Sequence, residues 1–223
     1  MVEPFNNPAA AESGPTREHL LEAAGEVFGE VGFRAATVRA ICQRAGANVA
    51  AVNYHFGDKE ALYSAVLQQS CRVALAAYPV DAGLPADAPP EARLRAFVRA
   101  FLQRIFSDGP AARHGRLMAQ EMIEPTAALD HLVREDIRPM AQRLAAIVSA
   151  LVPPGTDEAS LRRCSMSVVS QILFYHHCRP VVSRLFPDLE FHGEKLDQLA
   201  EHITRFSLAA LRHWPAPAEP PAA

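Results

Sequence analysis

The chain has 223 residues, a formal net charge of −3 and 49% hydrophobic residues. This length suits one large domain or two small ones, and the hydrophobic content excludes a wholly disordered protein. The slightly acidic balance gives no general indication of nucleic-acid binding, so any such indication must be local. The N-terminal segment MVEPFNNPAAAESGP has no secretory-signal pattern, and no apolar run has the roughly 18 residues that span a membrane, so we expect a cytoplasmic protein without membrane contact.

Apolar residues recur every three or four positions between proline and glycine breaks, which predicts an all-α protein of about nine helices. Pro139 is expected to kink the seventh helix, and the segment 179–191, with two prolines, is expected to be irregular. The predicted helices cover residues 16–31, 38–45, 49–55, 59–78, 91–107, 111–123, 126–151, 157–178 and 193–213.

The chain organisation follows from these segments. We expect a disordered arm at 1–14, a three-helix domain at 15–62, a larger helical domain at 63–213, and a disordered tail at 214–223. The four cysteines are far apart and form no CxxC pair, so they are interpreted as reduced thiols rather than metal ligands.

The segment 31–57 has three arginines, Arg34, Arg39 and Arg44, and no acidic residue. Its two short predicted helices are joined by a turn at Gly46, whose left-handed conformation suits a helix-turn-helix. The second helix has small residues that let it enter a major groove, and polar or aromatic residues at its end that can donate to phosphates. This local basic character predicts a DNA-binding surface.

The same region resembles TetR-family regulators. The segment 28–33 fits F-x-x-x-G-F, and the segment from Thr37 fits T-x-x-x-I. The segment from Asn53 to Leu62 fits Y-x-H/Y-F-x-x-K-x-x-L except at its first position. Cys42 stands where the family usually has alanine. Asn53 stands where the family usually has a phosphate-binding tyrosine, and Tyr54 or His55 can compensate for it.

The resemblance implies a role for each matching residue. Arg39 would contact a base edge, and Lys59 would bind phosphate at the start of the following helix. The alternatives are a solvated arginine, a surface lysine, and a Tyr54–His55 pair that only caps the edge of the core. The candidate DNA-binding residues are Thr37, Arg39, Asn48, Val49, Ala50, Ala51, Asn53, Tyr54, His55 and Lys59, and the implied core of the motif is Phe33, Ile41, Ala45, Val52, Phe56 and Leu62.

The C-terminal part resembles a subgroup of the family, the CecR type. The segment 118–139 contains E-x-x-x-P-T-A-A, H-L-V-x-E and I-x-P, as members of this subgroup do. The resemblance implies control of transport or drug-sensitivity genes. It also implies a homodimer through the last two predicted helices, 157–178 and 193–213, whose broad apolar faces could alternatively be buried within one protomer.

The resemblance implies that 15–62 is the DNA-binding domain with the helix-turn-helix and that 63–213 is the effector-binding and dimerisation domain. In the latter, a pocket for an unknown small-molecule effector is predicted where aromatic, methionine and polar residues should converge, although plain core packing is the better explanation for any single residue. Glu121 is the main polar candidate, because a carboxyl group on an apolar helix needs a ligand or a partner such as Arg116 or Arg134. The candidate ligand-binding residues are Phe97, Phe101, Met118, Glu121, Met122, Phe174, Tyr175 and His177.

No catalytic motif and no metal-ligand spacing occurs, so we expect neither an enzyme nor a cofactor or metal. Adjacent residues such as His176 and His177 point about 100° apart on a helix and suit one metal ion poorly. The sequence therefore predicts a dimeric, sequence-specific regulator. We expect a repressor that releases a palindromic operator when a small molecule binds its C-terminal domain; the alternative is a protein of the same fold that binds ligands or activates transcription.

Overall fold

The computed structural model describes residues 13–85, 87–106 and 110–215, and in these ranges it contains α-helices, one π-helical turn and no strand. The all-α prediction is confirmed. The predicted disordered arm and tail lie outside the described residues, apart from 13–14 and 214–215. The helices are α1 (Ser13–Ala35), α2 (Val38–Ala45), α3 (Val49–Phe56), α4 (Lys59–Ala77), α5 (Pro90–Phe106), α6 (Pro110–Ile123), α7 (Ala128–Leu132), α8 (Arg138–Ser149), α9 (Glu158–His177), α10 (Arg179–Leu185) and α11 (Gly193–Arg212).

Two segments differ from the predicted helices. The helix expected at 126–151 is divided, because α7 ends at Leu132 and a π-helical turn, Val133–Ile137, precedes α8. Pro139 lies two residues after this turn, and Ile137 keeps a helical backbone with φ −74° and ψ −43°, so the helix is interrupted where the sequence predicts a kink. The segment expected to be irregular begins with α10, which has Pro180 in its first turn, where a proline has no helical hydrogen bond to lose.

The chain forms two compact units, and the first consists of the described residues up to Ser70 together with Arg116–Leu132. Its core confirms the predicted core of the motif: three of the residues, Ile41, Val52 and Leu62, are fully buried. The others pack against them partly buried. Leu117 is also fully buried there, in a segment that the sequence analysis did not assign to the DNA-binding domain. The functional boundaries at 15–62 and 63–213 stay a prediction.

The last turn of α1 bends at Gly32, which has φ 78° and ψ 169°. Side chains rarely adopt this positive φ, so glycine is required at the bend. The helical backbone is thus interrupted directly after Val31, where the sequence predicts the end of the helix, and a further short turn leads to Ala35. Phe33 in this turn packs near Tyr63 with ring centroids 4.9 Å apart.

The second unit consists of Cys71–Gly115 and the described residues from Val133 onward. Its core is contributed mainly by α5, α8, α9 and α11, with Val98, Val148 and Ile172 completely buried. Among the described residues, no helix combines the length and the apolar character that crossing a bilayer requires.

The partly buried His114 in the second unit predicts that the stability of the protein depends on pH. Burial, assisted by the nearby Arg104 guanidinium, lowers the pKa of His114 from 6.5 to about 4. Between these values the unfolded chain binds a proton that the folded chain does not, so stability falls as the pH falls. We expect the free energy of unfolding to fall by about 2 kcal/mol between pH 7.5 and pH 5, and urea unfolding measures this change.

The matched variant is His114→Gln, which has no titrating group at this position. The free energy of unfolding of this variant should fall by about 2 kcal/mol less than that of the parent protein over the same pH interval. If parent and variant lose the same free energy of unfolding, His114 does not cause the pH dependence.

Candidate DNA-binding site

The helix-turn-helix is fixed by local hydrogen bonds. The Thr37 hydroxyl oxygen accepts the Ala40 N–H at 3.1 Å, and the Asn48 side-chain oxygen accepts the Ala51 N–H at 2.9 Å. Gly46 ends α2 in the left-handed conformation predicted for it, with φ 63°. Thr37 and Asn48 are exposed, and each keeps a donor, the hydroxyl hydrogen or the amide group, that can bind a phosphate.

The three arginines of the basic segment have different surroundings. Arg44 donates to both carboxylate oxygens of Glu30, at 2.7 and 2.9 Å. Arg34 lies 3.4 Å from a carboxylate oxygen of Glu124. Arg39 is exposed and makes no ion pair with any residue in the described part of the chain. Arg39 is therefore the arginine of this segment that is most available to DNA.

Glu30 of α1 is exposed to solvent and paired with Arg44. Its bonds to Arg44 lower the pKa of the Glu30 carboxyl group and neutralise one of the three positive charges counted in the sequence. A spacing of fourteen residues between the partners gives no helical-periodicity signal, so the pair becomes visible only when α1 and α2 pack together.

The outer face of α3 presents most of its predicted DNA-contacting residues to solvent. Tyr54 is 80% exposed and Val49 is 48% exposed, which is unusual for large apolar or aromatic groups unless another surface covers them. Ala50 and Asn53 are exposed as well.

Two predicted residues of α3 are less accessible. Ala51 is partly buried against the core of the first unit. His55 is partly buried, and its ring lies edge-on to Tyr54 with centroids 4.9 Å apart. The face that DNA can reach is therefore narrower than the sequence indicates.

Lys59 makes structural contacts that its predicted role does not include. Its ammonium group donates to the carbonyl oxygens of Phe33 and Ala36, both at 2.9 Å, and lies 4.4 Å from the centroid of the Phe33 ring. Two of its three N–H groups are thus used to hold the start of α4 against the end of α1. One N–H is left for a phosphate, and that contact stays a prediction.

We expect Lys59→Met to lower the free energy of unfolding by about 1–3 kcal/mol, because two carbonyl oxygens lose a charged donor. If the third N–H also contacts DNA, the slope of log affinity against log salt should flatten by about one. Urea unfolding and salt-dependent DNA titration measure the two effects separately. Unchanged stability would contradict the role in holding α1 and α4 together, and an unchanged slope would contradict the phosphate contact.

The eight predicted ligand-binding residues are divided between the two units. Met118, Glu121 and Met122 belong to the first unit and the other five to the second. Phe97 is 1% exposed and belongs to the hydrophobic core, against which Phe101 and Tyr175 pack partly buried. Phe174 and His177 are exposed.

Glu121 has partners within the protein. Its completely buried carboxyl group accepts hydrogen bonds from the Tyr63 hydroxyl at 2.9 Å, the Thr126 N–H at 2.8 Å and the Thr126 hydroxyl at 2.9 Å. Burial and the Glu121 contact strongly raise the pKa of Tyr63. Glu121 therefore holds α4 to the segment after α6, and neither Arg116 nor Arg134 is among the three donors.

The chemistry typical of metal and thiol sites is not evident in the described residues. No group of three or more His, Cys, Asp or Glu residues within these ranges is arranged to hold a metal ion. The four cysteines are free thiols, and burial raises the pKa of Cys42, Cys71 and Cys164, which disfavours the reactive thiolate.

Both parts of the chain match families of known proteins. Residues 20–66 match the family described as bacterial regulatory proteins, tetR family, and residues 90–211 match the C-terminal domain of the HTH-type transcriptional dual regulator CecR. CecR of Shigella flexneri is 27% identical over 213 residues, which are 90% of this chain and 93% of CecR. UidR of Escherichia coli K12 is 40% identical over 67 residues, 30% of this chain and 34% of UidR.

The fold is also found among solved structures. The fatty acid degradation regulator FadR from Bacillus halodurans has a TM-score of 0.65 at 15% identity, and the match covers 90% of this chain and 98% of FadR. The family and the relatives are transcriptional regulators rather than enzymes. This chain belongs to the TetR family of DNA-binding transcriptional regulators, with a C-terminal domain of the CecR type.

Proposed function

We propose that the protein is a cytoplasmic, dimeric repressor that releases a palindromic operator when a small molecule binds its C-terminal domain. The observation that supports operator binding best is the exposed face of α2 and α3, where Arg39 and Tyr54 are accessible and the helix ends are capped. One such face suits one half-site, and a two-fold axis supplies the second half of a palindrome.

The proposed dimer interface is formed by the last two long helices, α9 and α11. Three large apolar side chains on these helices, Met166, Phe174 and Phe206, are 70%, 55% and 61% exposed. Exposed apolar surface of this kind favours a partner that covers it, and in a homodimer each copy covers the other.

We expect Phe206→Glu to weaken the dimer at least tenfold, because a charge would be buried in the proposed interface. Sedimentation equilibrium of parent and variant measures the dimer dissociation constant. Glu22→Gln, an exposed change on α1 in the first unit, is the control. A Phe206→Glu protein that remains as dimeric as the parent would contradict this interface.

The effector is proposed to bind in the second unit, beside Phe97, where Phe101 and Tyr175 are partly buried and the Arg104 guanidinium lies 5.4 Å from the centroid of the Phe101 ring. Such a mixture of aromatic walls and few polar groups suits a small organic molecule. Activation rather than repression is the second candidate for the direction of control, because the relative CecR is named a dual regulator.

The test is a fluorescence-anisotropy titration of the protein with DNA from its own promoter region and with scrambled DNA of equal length, at physiological salt. We expect tight, salt-sensitive binding to the promoter DNA and binding to scrambled DNA that is weaker by a factor of about 1,000 or more. Equal weak binding to both DNAs would contradict control of the adjacent promoter. A reporter gene behind this promoter then distinguishes repression from activation.

A further inference from the structure

The first unit contains a cleft of about 620 Å³. Its walls are the end of α1 with Phe33, the first half of α4 with Tyr63, and the segment after α6 with Pro125. This volume lies within the range of about 300–1,000 Å³ typical of small-molecule sites. All the lining residues belong to the first unit, and none of them is among the residues proposed above to bind the effector.

The mouth of the cleft is apolar. Ile123 is 80% exposed and Val31 is 51% exposed, and both line the cleft. An apolar ligand would cover the surface that these large aliphatic side chains expose, and removing this surface from water favours binding.

The polar groups of the cleft are mostly acceptors. The Gln120 side-chain oxygen is buried without a hydrogen-bond partner, while the amide nitrogen of the same side chain donates to the Gly29 carbonyl oxygen at 3.3 Å. The carboxylates of Glu60 and Glu124 also line the cleft.

Two side-chain donors of the cleft already have partners, whereas the Ser64 hydroxyl accepts a hydrogen bond from the Gln68 amide and keeps its own hydrogen. The Tyr63 hydroxyl and the Thr126 hydroxyl both donate to the buried Glu121. The basic residue in the lining is Arg34, which lies 3.4 Å from Glu124. The cleft is therefore negatively charged, and it offers acceptors to a ligand that brings its own donors.

We propose that this cleft binds an organic ammonium ion, with its apolar part against Val31 and Ile123 and its N–H groups directed to the Gln120 oxygen and Glu60. A carboxylate ligand of the same shape is repelled by Glu60 and must compete with Glu124 for Arg34. Because Phe33 contacts both the cleft and Lys59, a bound ammonium ion also stabilises the junction of α1 and α4.

The probe pair is naphthylethylamine and naphthylacetate, which share a ring and carry opposite charges at neutral pH. Fluorescence titration of the full-length protein should give one amine bound per chain, with the acetate binding at least tenfold more weakly. Equal affinity for the two probes, or no binding of the amine, would overturn the proposal. The measurement contains no DNA, so its outcome is independent of operator recognition.

Matched variants locate the bound amine. Glu60→Gln should weaken the binding of the amine at least threefold. Glu22→Gln, an exposed change on α1 outside the cleft lining, should leave the affinity for the amine unchanged. Ile123→Ala should weaken it several-fold, whereas Met122→Ala, the exposed neighbour outside the lining, should not. Equal effects within each pair would place the amine elsewhere and overturn the proposal.

Discussion

Replacing Glu121 with leucine is expected to lower the free energy of unfolding by about 3–5 kcal/mol. The carboxyl group is completely buried and accepts three hydrogen bonds, from Tyr63 and from Thr126. Leucine fills similar space but accepts none of them, so three donors lose their partner in a region with little access to water. Urea unfolding followed by circular dichroism measures the loss.

Two further variants test whether the loss comes from these hydrogen bonds. Tyr63→Phe removes one donor together with its bond and should cost about 1–2 kcal/mol. Glu124→Gln changes an exposed carboxylate close by and should cost less than about 0.5 kcal/mol. A Glu121→Leu protein as stable as Glu124→Gln would show that the network adds nothing to the stability of the first unit.

Arg39→Ala is expected to weaken operator binding by about 1–3 kcal/mol, roughly 5- to 150-fold, and to relax the base preference at one position in each half-site. The reason is that Arg39 is exposed on α2 and has no ion pair among the described residues, so its guanidinium is free to contact a base edge. Anisotropy titration with the operator and with single-base variants of it measures both effects.

Arg44→Ala is the matched control, because it removes the same charge from the same helix. Arg44 is held by Glu30, so its loss should change operator affinity by less than about threefold and stability by less than about 1 kcal/mol. If Arg39→Ala weakens binding to every sequence equally, Arg39 contacts phosphate rather than a base. If Arg44→Ala has the larger effect, the Glu30 pair opens when DNA binds.

The helix-turn-helix could be predicted from the sequence because local rules determine it. Thr37 and Asn48 cap the helices that follow them, and Gly46 has the positive φ that the turn needs. Each of these signals depends on neighbours within a few residues. The buried residues of the motif follow as well, since Ile41 and Val52 lie at positions that the helical period directs inward.

Contacts between distant parts of the sequence could not be predicted. Glu121 and Tyr63 are 58 residues apart, and Lys59 is 26 residues from the Phe33 carbonyl that it binds. Helical periodicity indicates which side of a helix is buried but not which helix covers it. For the same reason the candidate ligand residues could be recognised as apolar or polar, but their division between two units could not.

Proline gave an ambiguous signal for helix boundaries. Pro139 lies just after a π-helical turn that interrupts the predicted helix, whereas Pro180, which suggested an irregular segment, lies in the first turn of a helix. A proline breaks a helix when it lies in the interior and is tolerated when the helix starts beside it. The sequence alone does not distinguish these cases unless the preceding residues show where the earlier helix ends.

The first unit is discontinuous in sequence, and this limits where the chain can be divided into fragments that fold. The chain leaves the unit after Ser70 and re-enters it at Arg116, bringing Leu117 to the core and Glu121 to Tyr63. A fragment cut at residue 70 would expose the buried surface under Leu117 and leave the Tyr63 hydroxyl without its acceptor. A chimaera that transfers operator specificity to another regulator should therefore exchange Arg116–Leu132 together with the N-terminal helices.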